Sequence, residues 1–250
     1  MSEISRGIGD LGRGLRFLGA RPSLWKWVVA PSLVTLLLLA GAVVLVARLA
    51  SSLVAKVTGW LPDFLAGVGS GVIWILVVAG LSLGALLVFV AVAGMVAGPF
   101  CELLSEAIEE QVTGQPGPPF SLGAFLRSVV TGLAHGVRRL LASLAGVVVL
   151  FAIGLVPVVG TIAAVALGGW FAARAAAYDC YDAVLSRRDL PYEGKLAYLA
   201  RHRGRTLGLG AGVAGLLLIP GVNLVALGVG AAGATLAALE LDGRALPPAR

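Results

Sequence analysis

Acidic residues are scarce in this chain, yet GPFCELLSEAIEEQVTG (98–114) places Glu102, Glu106, Glu109 and Glu110 close together. At helical spacing Glu102, Glu106 and Glu109 share a face, as carboxylates do when they hold divalent cations between helices. Such a centre draws further ligands from Glu-x-x-His pairs on other helices. The two histidines, His135 and His202, stand in no such pair, so no metal is expected. Neither do they combine with a serine and an acid into a triad: no G-x-S-x-G elbow occurs, and both sit among arginines. The chain is not expected to be an enzyme or to carry a cofactor. GIGDLG (7–12) and GVGAAG (228–233) match G-x-G-x-x-G without following a strand or opening a βαβ unit, so dinucleotide binding is not expected. The first reads as a loose amphipathic segment. The second, like GLSLG (80–84) and GLGAG (208–212), supplies small residues that let helices pack closely in lipid. Cys101 and Cys180 lack the spacing of a disulfide framework or zinc site and read as small buried hydrophobes.

Anion handling is the better chemistry. VPVVGT (156–161) and IPGVN (219–223) interrupt two apolar blocks near their middles, each with a proline that removes a backbone donor and a glycine, Gly160 or Gly221, that permits reversal. A helix beginning at such a break aims its N-terminal amides and partial positive charge into the bilayer, where transporters hold anions. Thr161 and Asn223 are the polar side chains beside the breaks. Two readings stay open for them: part of an anion site, or satisfaction of backbone groups freed at the kink.

The elements that must position these residues are membrane helices. Hydrophobic residues make up 58% of the chain and charged residues 13%, with a mean hydropathy of +0.96, far from a soluble domain at about a quarter charged. The net charge of +6 follows from Lys and Arg kept in cytoplasmic loops, so nucleic acid is not expected as a partner. Residues 27–50 and 72–98 are long enough to span about 30 Å of hydrocarbon. The first run exceeds a signal-peptide core and no A-x-A site follows, so it reads as a retained anchor. Blocks 141–173 and 207–239 are basic at both ends, through Arg138, Arg139, Arg174, Arg187 and Arg188 for one, and Arg201, Arg203, Arg205 and Arg244 for the other. Under the positive-inside rule both ends face the cytoplasm, so each block enters and returns as a re-entrant hairpin. A six-span arrangement with thinly stretched arms has the same sidedness and stays open.

The expected fold class is thus an all-α integral membrane protein with two long transmembrane helices, two hemi-penetrating helical hairpins and amphipathic interfacial helices. Its order is an interfacial helix (1–26), a span (27–50), an outer loop (51–71), a span (72–98), cytoplasmic amphipathic helices (99–140), hairpin 1 (141–173), a cytoplasmic basic connector (174–206), hairpin 2 (207–239) and a tail (240–250). Ile4, Ile8, Leu11, Leu15 and Leu18 form the stripe of the first interfacial helix; Leu122, Phe125, Val129, Leu133 and Val137, after an N-cap at Ser121, form that of another. Gly98 and Pro99 are expected to end the second span, the glutamates then opening a new helix whose dipole favours acids, with Arg127, Arg138, Arg187 and Arg188 at hand to pair them.

GPFCELLSEAIEEQVTG resembles the PF-x-x-x-L-x-E segment closing the second membrane helix in the CysZ sulfate permease family and its eukaryotic relatives, the etoposide-induced transmembrane proteins. Residues 176–236, with the aspartates after the first hairpin and the IP-x-x-N break, and RPSLWKWVVAPSLV near the start extend the resemblance over essentially the whole chain. The resemblance implies two long spanning helices with two partly penetrating hairpins, assembled as a homo-oligomer in the inner membrane; the distribution of Lys and Arg is what puts both termini on the cytoplasmic side as an expectation. It implies uptake of sulfate or a similar oxyanion, held at a Gly-Leu-Arg-Arg motif before the first membrane helix. The positions aligned with that motif are Ser23, Leu24, Trp25 and Lys26, so the glycine and first arginine are replaced. Lys26, with Arg21 and Ser23, is the implied anion contact. The altered motif supports an alternative to transport, a non-transporting membrane scaffold or regulator, as the eukaryotic relatives suggest.

Overall fold

The computed structural model describes residues 2–58, 63–115, 123 and 143–244, and the regular elements among them are all helices. In order they are α1 (Glu3–Gly19), a 3₁₀ turn (Pro22–Leu24), α2 (Trp25–Thr58), α3 (Asp63–Thr113), α4 (Ser143–Gly154), α5 (Val159–Ser186), α6 (Tyr192–Arg201), α7 (Arg203–Leu217) and α8 (Asn223–Leu241). The expected all-α class is what forms. The amphipathic helix expected over 121–140, Gly123 apart, and the tail beyond Arg244 lie outside the described residues. Among the described residues, Pro22–Lys56, Val159–Ser186 and Asn223–Leu241 are long and apolar enough to cross a membrane.

Contacts divide the chain into two units, Leu33–Val96 and the remainder. In the smaller unit α2 and α3 expose a dense apolar surface, including Leu36, Leu37, Val43, Leu45, Ile75 and Leu76, as a bilayer rather than water requires. Gly80 and Gly84 have no atoms near the place a Cβ would occupy; with Leu45 and Leu49 they border an apolar groove between the two helices. The close packing expected of GLSLG is therefore absent among the described residues.

The larger unit is built around α8. Apart from the partly buried Leu227, Ala226–Leu239 is buried on every side, so the helix needs no polar face. One side meets Leu18, Leu24, Val28, Leu104 and Ile108 through Val229, Ala232 and Leu236. The other meets Cys180, Tyr181, Val184, Leu209 and Val213 through Ala234, Ala237 and Ala238. Thr235 Oγ1 lies 3.0 Å from Ser105 Oγ, tying α3 to α8.

Glycines permit this density. A Cβ on Gly7 would collide with the carbonyl of Arg205, one on Gly208 with that of Ile4, and one on Gly210 with that of Ala173. These contacts lay α1 alongside α7 and α7 alongside α5, and a Cβ on Gly230 or Gly233 would likewise collide with Cys180 or the Asp10 carbonyl, bearing out the reading of GLGAG and GVGAAG as packing motifs. GIGDLG is not loose: it lies within α1, whose buried face is Gly7, Asp10, Gly14 and Leu18. The expected stripe is split, with Leu18 buried while Ile4, Ile8 and Leu15 stay about half exposed. Helix-on-helix packing has taken the smallest face and left an apolar one outward.

Both breaks fall where the prolines put them. Gly168 approaches Leu150 and Gly154 approaches Ala164, so α4 and α5 double back around 155–158. The left-handed residue there is Val158, at φ 64°, and not Gly160, whose role is close approach to the carbonyl of Ile153. A β-branched residue at positive φ is strained. At the second break Gly221 does take the turn, at φ 83°.

Helices extend further than expected elsewhere. The stretch 51–71 is helical up to Thr58 and again from Asp63, and the 174–206 connector is largely helix. Pro99 does not end the second long helix: α3 runs through it to Thr113. Proline removes one intrahelical bond and crowds the preceding turn, which bends a helix without stopping it when surrounding packing holds both sides. Glu106, Glu109 and Glu110 therefore lie near the C-terminus of α3, where the dipole disfavours acids. The compensation is ionic. Arg187 lies 3.4 Å from Glu106 and 3.3 Å from Glu109, one of the expected partners.

Candidate anion site

The turn that joins α1 to α2 is fixed by its backbone. The Arg21 N–H donates to the Leu18 carbonyl at 3.0 Å, and the Leu24 N–H donates to the Arg21 carbonyl at 3.0 Å. Trp25 Nε1–H also donates to the Leu18 carbonyl, at 3.1 Å. Leu18, Leu24 and Val28 anchor the turn in the core. Pro22 suits the first turn of the helix, where its missing N–H costs nothing.

On this frame the five expected residues divide. Leu24 is buried at 2% exposure and Trp25 spends its N–H on the turn, so both serve structure. Ser23 and Lys26 are exposed and Arg21 is half-buried. The Arg21 guanidinium sits 3.7 Å above the Phe17 ring, and Lys26 Nζ 4.9 Å from the Trp27 ring. Among the described residues neither cation is paired with a carboxylate. Two unneutralised cations flank a first helical turn, the local setting in which amides and basic side chains hold oxyanions.

Thr161 and Asn223 lie exposed in the first turns of α5 and α8. The Asn223 N–H already donates to the Ile219 carbonyl at 3.1 Å. No hydrogen bond among the described residues joins either side chain to the 21–26 turn. The beginning of α2 nevertheless runs along α8, with Val28 against Gly228 and Ser32 Oγ donating to the Leu224 carbonyl at 2.5 Å.

An ionic cluster built on a buried pair escaped the sequence reading. Arg205 Nε–H and Nη2–H donate to the two carboxylate oxygens of Asp10 at 2.6 and 2.9 Å, with both side chains at most 5% exposed. Arg205 also reaches Glu240 at 2.9 Å, and Arg13 bridges Asp10 at 3.0 Å and Glu240 at 2.5 Å. Two acids and two bases from α1, α7 and α8 thus close a formally neutral ring. The hydrogen bond with Asp10 raises the Arg205 pKa against the opposing effect of burial. Asp10 on a face otherwise made of Gly7, Gly14 and Leu18 was the available signal.

Comparison with known proteins now bears on the site. A family model described as Sulfate transporter CysZ/Etoposide-induced protein 2.4 matches residues 10–227. The chain belongs to this family. Curated CysZ relatives include the Sulfate transporter CysZ of Pseudomonas fluorescens (strain Pf0-1), 31% identical over 94% of this chain and 93% of its own. Those of Pseudomonas paraeruginosa (strain DSM 24068 / PA7) and Vibrio parahaemolyticus serotype O3:K6 are 32% and 29% identical, over 90% and 92% of this chain and 91% and 92% of theirs. The match to the CysZ family includes both the 21–26 turn and most of the second hairpin.

Proposed function

We propose that this protein moves sulfate or a related oxyanion across the bacterial inner membrane, through a pore formed by a homo-oligomer. The observation that carries the reading is the alignment, over about nine-tenths of both chains, with relatives named sulfate transporters. The local geometry supports it: Arg21, Ser23 and Lys26 offer positive charge and donors at the first turn of a long apolar helix. No catalytic step is part of this reading. The segments 27–50 and 72–98 span the bilayer, 141–173 and 207–239 enter and return, and both termini face the cytoplasm. The short first arms, α4 and α7, favour this, while the return arms α5 and α8 are longer. α7 has 15 residues, about 22 Å, below the roughly 30 Å of hydrocarbon. Thr161 and Asn223 stand at the turning points, as anion contacts or as partners of the broken backbone.

A second reading, a membrane scaffold without transport, is favoured by one observation: two of the four motif-aligned positions, Leu24 and Trp25, are absorbed into the turn. Equilibrium binding of labelled sulfate to the purified protein separates the two. Saturable binding, weakened about tenfold or more by Lys26→Ala, is expected if a charge-assisted contact is lost. Absence of binding by the wild-type protein favours the scaffold.

A further inference from the structure

Among the described residues, cations are held by carboxylates, by aromatic rings or, in Arg188, by both, and Arg174 over Trp170 is a further ring-held arginine. Arg13, Arg187, Lys195 and Arg205 are held by carboxylates, which cancel their charge. Arg21 and Lys26 are held against aromatic rings. An aromatic face fixes a guanidinium through its quadrupole and leaves the positive charge intact for another ligand. We propose that Phe17 is a positioning residue of the anion site, and that Arg21, stacked on it, supplies the forked contact absent from the motif-aligned positions. The inference rests on the oxyanion reading above.

Three features converge on it. Both peptide groups of Arg21 are committed, its N–H to Leu18 and its carbonyl to Leu24, so the side chain leaves the backbone from a fixed point. Phe17 is itself fixed, packed against the cluster of Leu18, Leu24 and Val28. A guanidinium carries its N–H groups in its own plane, and one held 3.7 Å from a ring centroid, with no carboxylate on it among the described residues, can grip two oxygens of a tetrahedral anion. Trp25 Nε1–H donates to the same Leu18 carbonyl and so helps to lock the turn. The charge needed for an oxyanion has thus moved from the aligned arginine position to a residue just before the helix.

Sulfate titrations of the full-length protein in detergent test this with four variants. Phe17→Leu keeps an apolar side chain but removes the ring, and should weaken sulfate binding about three- to fivefold. Phe17→Tyr and Phe17→Trp restore a ring and should bind like the wild type. Arg21→Lys keeps the charge without the fork and leaves the turn's packing alone; a loss of about fivefold or more is expected. A purely packing role for Phe17 would lower the melting temperature of Phe17→Leu with its sulfate affinity unchanged, and would overturn the proposal. So would wild-type affinity in Arg21→Lys. In both cases a binding defect in Lys26→Ala would leave the sulfate reading standing. Silence of the wild-type protein would overturn both.

Discussion

Asp10 and Arg205 are almost completely withdrawn from solvent, and each makes the other tolerable. Removing Asp10 leaves the buried Arg205 with only the half-exposed Glu240 to answer it, which costs up to about 3–5 kcal/mol. Asp10→Ala should therefore lower unfolding stability in detergent by about that much, while Asp10→Leu combined with Arg205→Met should recover most of it. Equal losses in the single and double variants would show that the pair does not couple α1 to α7. His202, at the joint between α6 and α7, supplies a pH dependence. Burial, then Arg201 and Arg205, hold its pKa below the ordinary 6.5. The fold prefers the neutral imidazole, so this contribution is complete above about pH 6.5 and declines as pH falls toward the lower folded value. The melting temperature should consequently drop more between about pH 7.5 and 5.5 in the wild type than in His202→Gln; identical drops would contradict the assignment. At this scale the cations of the 21–26 turn came into view through the family resemblance, which aligned Lys26 with the motif. The Asp10 ring did not, because its members are far apart in sequence and Arg205 reads, in one dimension, like any other basic flank of a hairpin.

Helix contacts follow size more than polarity. Within GIGDLG, Gly7 faces the backbone of α7, whereas Gly9 and Gly12 have open space where a Cβ would stand. Gly7→Ala must push α1 off α7 and should destabilise by about 1–3 kcal/mol, as overpacking does. Gly9→Ala and Gly12→Ala should stabilise by about 0.5–1 kcal/mol, through helix propensity. Parallel thermal melts of the three variants check the ranking, and a stabilising Gly7→Ala would refute the close approach. The breaks at 156–161 and 219–223 were readable because proline and glycine punctuate an otherwise uniform apolar run. The continuity of α3 through Pro99 was not, since local propensity argues for a stop, whereas beyond the proline Leu104 and Ile108 are packed into the core. The positive φ of Val158 is equally invisible to propensity, which assigns such a position to the nearby glycine.

Across the molecule, all-helical architecture and family were legible from composition and from the ordered segments 21–34, 98–114 and 176–236. The burial of α8 was not. A uniformly apolar helix looks the same in sequence whether lipid or protein surrounds it, and here it is protein. The second hairpin accordingly reads less as a free arm than as a central helix clasped by α1, α5 and α7, which carries the N-terminal turn with it through Val28 and Ser32. That coupling links the proposed anion contact to the hairpin expected within the bilayer. The central claim is movement of the anion, and uptake of labelled sulfate into liposomes containing the purified protein tests it most directly. Wild-type liposomes should accumulate sulfate down its gradient, and Lys26→Ala liposomes about tenfold more slowly, the loss expected for one charge-assisted contact. Uptake by the wild type no faster than by empty liposomes would contradict the account.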